Sequence, residues 1–317
     1  MSILLVDLKE VCRGEIVNRP SKKCKTPYVA DVRIKMGQDQ HQEHDEGQDQ
    51  HQEHDEGQDQ HQEHDEGQEI LGHSPSLGCC GLADKGAIVL MTPTSNPTSS
   101  SSSTKQTKQP VCSYRIDLAI YKEDDKEIIV GINPKLGESI AEEALKQNCI
   151  ARLQNVKSYT REVKIMNSRF DFAGIDENGT PFVLEIKNVP LADYVDVPKK
   201  DRIHCLAQLE HKNFNEKIAY FPDGYRKNST DVVSPRALKH IQELEEIAIT
   251  GKVRAILCFI VQRNDVKQFQ TSNIDLIYKE AVYKASQNGV EIITIQVEWT
   301  TQGKCYFVRN DLPIFLA

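Results

Sequence analysis

Residues 168–188, SRFDFAGIDENGTPFVLEIKN, hold two runs of alternating apolar and polar residues on either side of Glu177, Asn178 and Gly179. Alternation with a period of two puts successive side chains on opposite faces of a sheet, so the segment reads as a β-hairpin. A three-residue loop with Gly179 in the left-handed conformation pairs Asp176 with Thr180, and the register continues outward from there. Phe170 then falls opposite Ile186 and Phe172 opposite Leu184 on one face, while Asp171 falls opposite Glu185 and Arg169 opposite Lys187 on the other. A two-residue Asn-Gly turn would set Asp171 against Ile186 and Phe172 against Glu185, mixing charged and apolar side chains on both faces. The pattern selects the three-residue loop.

Two carboxylates directly opposite one another on neighbouring strands repel unless something positive lies between them. A divalent cation meets that need, and Lys187 follows Glu185 by two residues, on the same face of the same strand. An ammonium there holds an attacking water and stabilises charge on a phosphate. Mg²⁺ or Mn²⁺ bound through one or two carboxylates plus waters supplies a nucleophile and Lewis acidity for phosphodiester cleavage. An edge-strand charge ladder neutralised by Arg169 and Lys187 fits the same pattern, because charged solvent faces are ordinary on antiparallel pairs.

The elements around the hairpin fix the fold class. Pro134 to Gln147 reads as a helix, with Pro134 at its start and an apolar stripe at Leu136, Ile140, Ala144 and Leu145. Strands are expected at 158–165, 169–175 and 181–188. After an irregular stretch come a helix over 235–249, a strand over 253–261, a helix over 274–287 and a strand over 290–298. That order is α/β with both sheet faces covered, leaving the strand ends free to carry a site. The connection 194–220 carries Lys199, Lys200, Arg202, Lys212 and Lys217, and reads as either a basic lid or an idle insertion.

The N-terminal third differs in texture. Short strand signals at 3–8, 14–18, 28–35, 87–91 and 111–121, bounded by Gly, Pro and Ser, suggest a small barrel or open sheet of the kind that binds oligonucleotides. Arg19, Lys22, Lys23, Lys25 and Arg33 cluster near Tyr28, as either a binding groove or ordinary solubilising charge. Two segments interrupt this region. Residues 37–66 are three copies of GQDQHQEHDE with no aliphatic or aromatic side chain, a composition that cannot offset the entropy of ordering. Their paired histidines, such as His41 and His44, suit weak transition-metal chelation, but expansion of a tolerant surface loop is the favoured account. A Ser/Thr/Pro/Lys stretch over 92–109 also reads as a loop. We therefore expect flexible loops at about 37–68 and 92–109 inside a domain spanning 1–130, followed by a second domain spanning 131–317.

The formal charge of −8 follows from the repeats, since removing their twelve acids leaves 35 against 39 Lys and Arg, about +4. A mildly basic remainder is compatible with a polyanionic partner. No apolar run reaches membrane-spanning length and the first residues lack a secretory pattern, so a soluble, intracellular protein without a membrane partner is expected. The nine cysteines have no metal-binding pair spacing and read as reduced thiols, with no role assigned to Cys79 and Cys80.

The D-x(13)-E-x-K spacing after a helix and a strand resembles the PD-(D/E)XK nuclease superfamily. More specifically, SRFDF at 168–172, LEIKNVPLAD at 184–193, YFPDG at 220–224, PRALKHIQELEEIA at 235–248, GKVRAILCFIVQR at 251–263 and NGVEIITIQVE at 288–298 resemble the sugar fermentation stimulation protein (SfsA) family. A thinner likeness runs through YVADVRI at 28–34 and the KGAIV strand entry. The resemblance implies an OB-like barrel followed by a mixed-sheet, PD-(D/E)XK nuclease-like domain. It also implies DNA binding of low sequence specificity, with nuclease activity suggested by the fold and a role in regulating sugar-use genes proposed in bacteria. Carried over, Asp171, Glu185 and Lys187 match the core triad, with Asp171 and Glu185 as metal ligands. Glu143 matches a helix glutamate and Glu162 one on the first strand. Asp223, Arg236 and His240 match a second motif, with Arg236 as a phosphate contact. Arg169, Lys23, Lys25 and Arg33 complete the candidate DNA-binding set. The family's N-terminal proline-asparagine-threonine-glycine turn is here Pro75, Ser76, Leu77 and Gly78, which puts any binding role for it in doubt. Two functions follow: a Mg²⁺- or Mn²⁺-dependent DNA nuclease, or a non-catalytic DNA-binding regulator on the same fold. A homodimer is a candidate assembly.

Overall fold

The computed structural model describes residues 2–34, 67–76, 79, 81–94, 112–222, 224, 228 and 230–316. The GQDQHQEHDE repeats, most of the 92–109 stretch, Cys80 and Asp223 lie outside these residues.

The N-terminal strands are β1 (Leu4–Asp7), β2 (Cys12–Asn18), β3 (Val29–Ile34), β4 (Gln68–His73), β5 (Ile88–Pro93), β6 (Tyr114–Glu123) and β7 (Lys126–Gly131). Strand β2 pairs with β3 and β5, β3 with β4, and β5 with β6, all antiparallel. A parallel contact of β4 with β6, Gly72 against Tyr114, completes a ring of five strands, an OB-like arrangement around Ile16, Val32, Val89, Met91 and Ile116. The ring differs from the sequence expectation in one strand. Residues 3–8 do form a strand, but β1 leaves the ring and pairs with a C-terminal strand, Leu4 opposite Tyr306. Its place is taken by β4, whose only large apolar residues are Ile70 and Leu71 beside the polar repeats, so no strand signal stands out there. Strand β5 also runs past the expected boundary, because buried Thr92 donates its hydroxyl to buried Asp117 at 2.6 Å.

The C-terminal elements are α1 (Pro134–Lys146), β8 (Ser158–Ile165), β9 (Ser168–Ile175), β10 (Pro181–Val189), β11 (Ala192–Asp193), α2 (Lys199–Ala207), β12 (Lys217–Phe221), α3 (Pro235–Ile249), β13 (Arg254–Val261), β14 (Val266–Thr271), α4 (Leu276–Gln287), β15 (Glu291–Trp299), β16 (Lys304–Arg309) and β17 (Ile314–Phe315). Strands β10, β13 and β15 are parallel, with β9 and β8 antiparallel on one side and β16 on the other. Strand β13 is an unbroken apolar run because both of its faces are covered. One core joins the Leu136–Ile140–Ala144 stripe of α1 to Phe172, Leu184, Ile186 and Ile260. The other joins Ala237, Ile241 and Leu244 of α3, and Tyr278 and Val282 of α4, to Phe170, Val183, Leu257 and Phe259.

Within the basic connection 194–220, Lys217 and Arg202 have internal partners, while Lys200 and Lys212 are exposed. Lys217 is fully buried, 2.9 Å from Glu123 and 3.1 Å from Asp265, with its ammonium 3.7 Å from the Phe214 ring centroid and 4.8 Å from that of Tyr194. Arg202 lies 3.3 Å from Asp193 and donates to the Tyr220 hydroxyl at 3.0 Å. These cations are consumed internally, and Lys217 ties the end of barrel strand β6 to the C-terminal half.

Candidate active site

The hairpin adopts the expected turn. Asp176 donates its N–H to Thr180 at 2.9 Å, Gly179 has φ +85°, and Phe182↔Gly174, Val183↔Ala173 and Leu184↔Phe172 are paired. Beyond Phe172 the ladder stops, which corrects the expected main-chain pairing of Asp171 with Glu185 and of Arg169 with Lys187. Asp171 Oδ2 accepts the backbone N–H of Ile186 at 2.7 Å instead. On the other edge of β9 the neighbouring residue Glu162 has φ +53°, between the pairs Arg161↔Phe172 and Val163↔Phe170. The distortion carries Phe170 into the α3 core, its ring centroid 5.7 Å from that of His240, while Phe172 stays in the α1 core. The two phenylalanines therefore do not share a face.

This break opens a cleft of about 530 Å³ whose lining includes Asp171, Glu185, Lys187, Glu138, Asn188 and Arg236. Two helices begin at its wall. Helix α1 starts at Pro134, behind an Asn133 cap that accepts the Lys135 N–H at 3.1 Å. Asn133 in turn donates to Asp117 of the barrel at 2.6 Å, so the barrel fixes where α1 begins. Helix α3 starts at Pro235, with Ser234 Oγ accepting the Ala237 N–H at 3.3 Å. Both N-termini turn positive dipole ends toward the cleft, an arrangement suited to an anion, but in α1 Pro134 has no N–H and those of Lys135 and Leu136 are already bonded to Asn133. Ser76, from the stretch after β4, also lines it, so the barrel half contributes to the cleft.

The acids differ in their partners. Lys187 Nζ donates to Glu185 Oε1 at 2.5 Å, and His240 Nδ1 bonds the same oxygen. Glu185 Oε2 is buried without a hydrogen-bond partner, although the residue is only 3% exposed. Burial works against the Glu185 charge, but the Lys187 ammonium and the His240 hydrogen bond outweigh it and hold its pKa below the usual range. Asp171 behaves oppositely, with its pKa pushed up to about 7 by burial first and by the Glu185 charge second. Like charges sharing a desolvated site drive protonation onto the less supported partner, here Asp171.

Among the described residues, no group of three or more His, Cys, Asp or Glu side chains is placed to hold a metal by protein ligands alone. The donor set nevertheless fits a hard cation. An orphaned carboxylate oxygen next to a second carboxylate provides the one or two ligands that Mg²⁺ takes alongside waters and phosphate oxygens.

The other sequence candidates lie elsewhere or play other parts. Glu143 accepts from Gln147 Nε2 at 2.7 Å and is not among the cleft residues; the α1 glutamate at the cleft is Glu138, five positions earlier and on another side of the helix. Glu138 was missed because both residues read as polar helix surface, and only docking of α1 on β10 chooses between them. Glu162 is exposed and pairs with Arg169 at 2.9 Å, outside the cleft. Lys23 and Lys25 are exposed between β2 and β3, and Arg33 lies 3.8 Å from Glu69 on the barrel; none of the three lines the cleft. Arg236 lines it, and His240 lies outside the lining but bonds Glu185.

Comparison with known proteins supports this assignment of elements. Residues 135–303, more than half of the chain, match the family model described as the sugar fermentation stimulation protein RE domain. The sugar fermentation stimulation protein homolog of Shewanella sediminis is 30% identical over 185 residues, 57% of this chain and 68% of that protein. The Clostridium perfringens homolog is 28% identical over 236 residues, 74% of this chain and 83% of that protein. The solved structure of Pyrococcus furiosus SfsA superposes with a TM-score of 0.66 over 99% of both chains at 17% identity, so the fold extends through the barrel half. The chain belongs to the sugar fermentation stimulation protein (SfsA) family.

Proposed function

We propose that the protein binds DNA with low sequence specificity and hydrolyses its phosphodiester backbone with Mg²⁺ or Mn²⁺ held at Asp171 and Glu185. The observation that carries this reading is the buried, unpartnered Glu185 Oε2 beside Asp171, in a cleft where two helices begin. The Pyrococcus furiosus SfsA structure is of a complex with Ca²⁺, a cation that also takes oxygen ligands. When bound, the cation supplies Lewis acidity and a water of lowered pKa.

The chain's own residues supply the remainder. Arg236 at the first turn of α3 receives the phosphate oxygens, and the dipole ends of α1 and α3 add positive potential there. Lys187, held by Glu185, presents its ammonium where charge develops on the phosphate. Glu138, whose Oε2 accepts from Arg161 at 3.1 Å, adds a third carboxylate at the rim. Contacts of this kind reach backbone phosphates, which carry no sequence information, hence the low specificity.

The test is incubation of purified wild type, Asp171→Ala and Lys187→Ala with single- and double-stranded DNA in Mn²⁺ and Mg²⁺. Cleavage by wild type that both variants lose, with DNA binding retained, supports the reading. Binding without cleavage by wild type in either metal overturns the hydrolytic part and leaves a non-catalytic DNA-binding protein.

A further inference from the structure

Within the apolar stripe of α3, one position breaks the pattern. Ala237, Ile241 and Leu244 face the core, yet His240 on the same side is 3% exposed. An imidazole at such a position costs stability unless its polar atoms are satisfied, and an aliphatic side chain would pack there without that cost. Its partner is Glu185. A carboxylate has no proton to give, so His240 carries its proton on Nδ1 and donates it to Oε1. Lys187 donates to the same oxygen from β10, with its Nζ 3.5 Å from His240 Nδ1.

Two donors from two separate elements thus converge on one oxygen and leave the other with none. Lys187 alone would not fix the carboxyl plane, because its four-carbon stem is flexible. The histidine is rigid, buried and mounted on a helix packed against the sheet.

We propose that His240 is a positioning residue that locks the Glu185 carboxylate so that Oε2 remains free to ligate the divalent cation. This rests on the metal reading of the cleft. It assigns α3 a second task besides packing: the helix that brings Arg236 to the rim also sets the orientation of the ligand on the strand beneath.

The test is Mn²⁺ binding to the full chain, followed by electron paramagnetic resonance, for wild type, Asp171→Ala, His240→Asn, His240→Gln and His240→Phe, with thermal melts in the absence of metal. The Asn amide nitrogen falls near the Nδ1 position, whereas Gln carries its amide one bond further and Phe fills the volume without a donor. Positioning partners of metal ligands typically contribute 10–100-fold in affinity. The expected result is binding by His240→Asn within about 3-fold of wild type, and binding by His240→Gln and His240→Phe weakened by about 10–100-fold. Wild-type affinity in His240→Phe, or equal affinities in the Asn and Gln variants, overturns the inference. If His240→Phe fails to melt cooperatively, the Asn and Gln pair still decides. Equal, negligible binding by wild type and Asp171→Ala overturns the metal reading and the inference with it; tight wild-type binding that His240 substitutions leave unchanged overturns the inference alone.

Discussion

Asp171 Oδ2 accepts the backbone N–H of Ile186 at 2.7 Å, so a side chain on β9 does for β10 what a main-chain carbonyl does further along the same ladder. One carboxylate is therefore both a structural acceptor and a candidate ligand, and the two roles separate by substitution. Asp171→Asn keeps an oxygen for the Ile186 N–H while removing the charge. Asp171→Ala leaves that N–H unpaired, at a cost of about 1–3 kcal/mol. Urea denaturation of both variants checks this: Asn should lie near wild type and Ala below it, with Mn²⁺ binding lost in both.

The raised pKa of Asp171 sets a pH dependence for the metal-free protein. An acid whose folded-state pKa is about 7, against an ordinary 3.8, keeps its proton in the folded chain after the unfolded chain has lost it. The resulting stabilisation is fully present below about pH 4 and is lost as the pH rises through about 7. Metal-free stability should fall between pH 5 and pH 8 in wild type, and fall less in Asp171→Asn, as denaturant midpoints measured in EDTA would register. Glu185, whose pKa is lowered, adds the opposite dependence only at more acidic pH.

Lys217 holds Glu123 and Asp265 together in a buried setting. Removing one partner of a buried ion network strands the remaining charge, typically at 3–5 kcal/mol. Lys217→Met should destabilise the protein by about 3 kcal/mol, toward the low end of that range because Asp265 keeps its Arg263 bonds. It should do so without altering Mn²⁺ affinity per folded molecule. A melting curve beside a metal titration distinguishes this from an effect on the site.

Arg236 stands at the first turn of α3 on the cleft wall. If it contacts phosphate, Arg236→Ala should weaken DNA binding to a similar degree for all sequences and lower the salt-dependence slope by about 1. Fluorescence anisotropy at several salt concentrations reads both; an unchanged slope would count against the contact.

Gly174 on β9 leaves no room for a side chain, because a Cβ there would meet the Ser158 carbonyl oxygen at 2.1 Å and the Phe182 ring at 2.9 Å. Gly174→Ala should destabilise by about 1–3 kcal/mol through overpacking, measurable as a lowered denaturation midpoint.

Helices α1, α3 and α4 and strands β8, β9, β10, β13 and β15 were legible from sequence because each carries its own signal, whereas α2, β11, β12, β14, β16 and β17 were not expected. The apolar stripe and Pro134 start mark α1, the apolar run marks β13, and Gly179 fixes the hairpin register. The barrel was legible in outline only. Strand β1 is a short apolar run that reads the same whichever strand it pairs with, and β4 has too few apolar residues to stand out beside the repeats. Lys217 and Arg202 read as surface charge because sequence does not reveal that Glu123, Asp265 and Asp193 converge on them from distant positions.

Local spacing put Asp171, Glu185 and Lys187 on one face, since period-two alternation and a three-residue loop are short-range physics, and the family resemblance matched them to a core triad. The break that turns Asp171 onto the Ile186 N–H is not local, because it needs both neighbouring strands to give way at the same level. The choice of Glu138 over Glu143, and the hold of His240 on Glu185, depend on how α1 and α3 dock across opposite faces of the sheet. Short-range pattern determined which residues are candidates for the chemistry; only long-range packing decided which of their oxygens remain unpartnered.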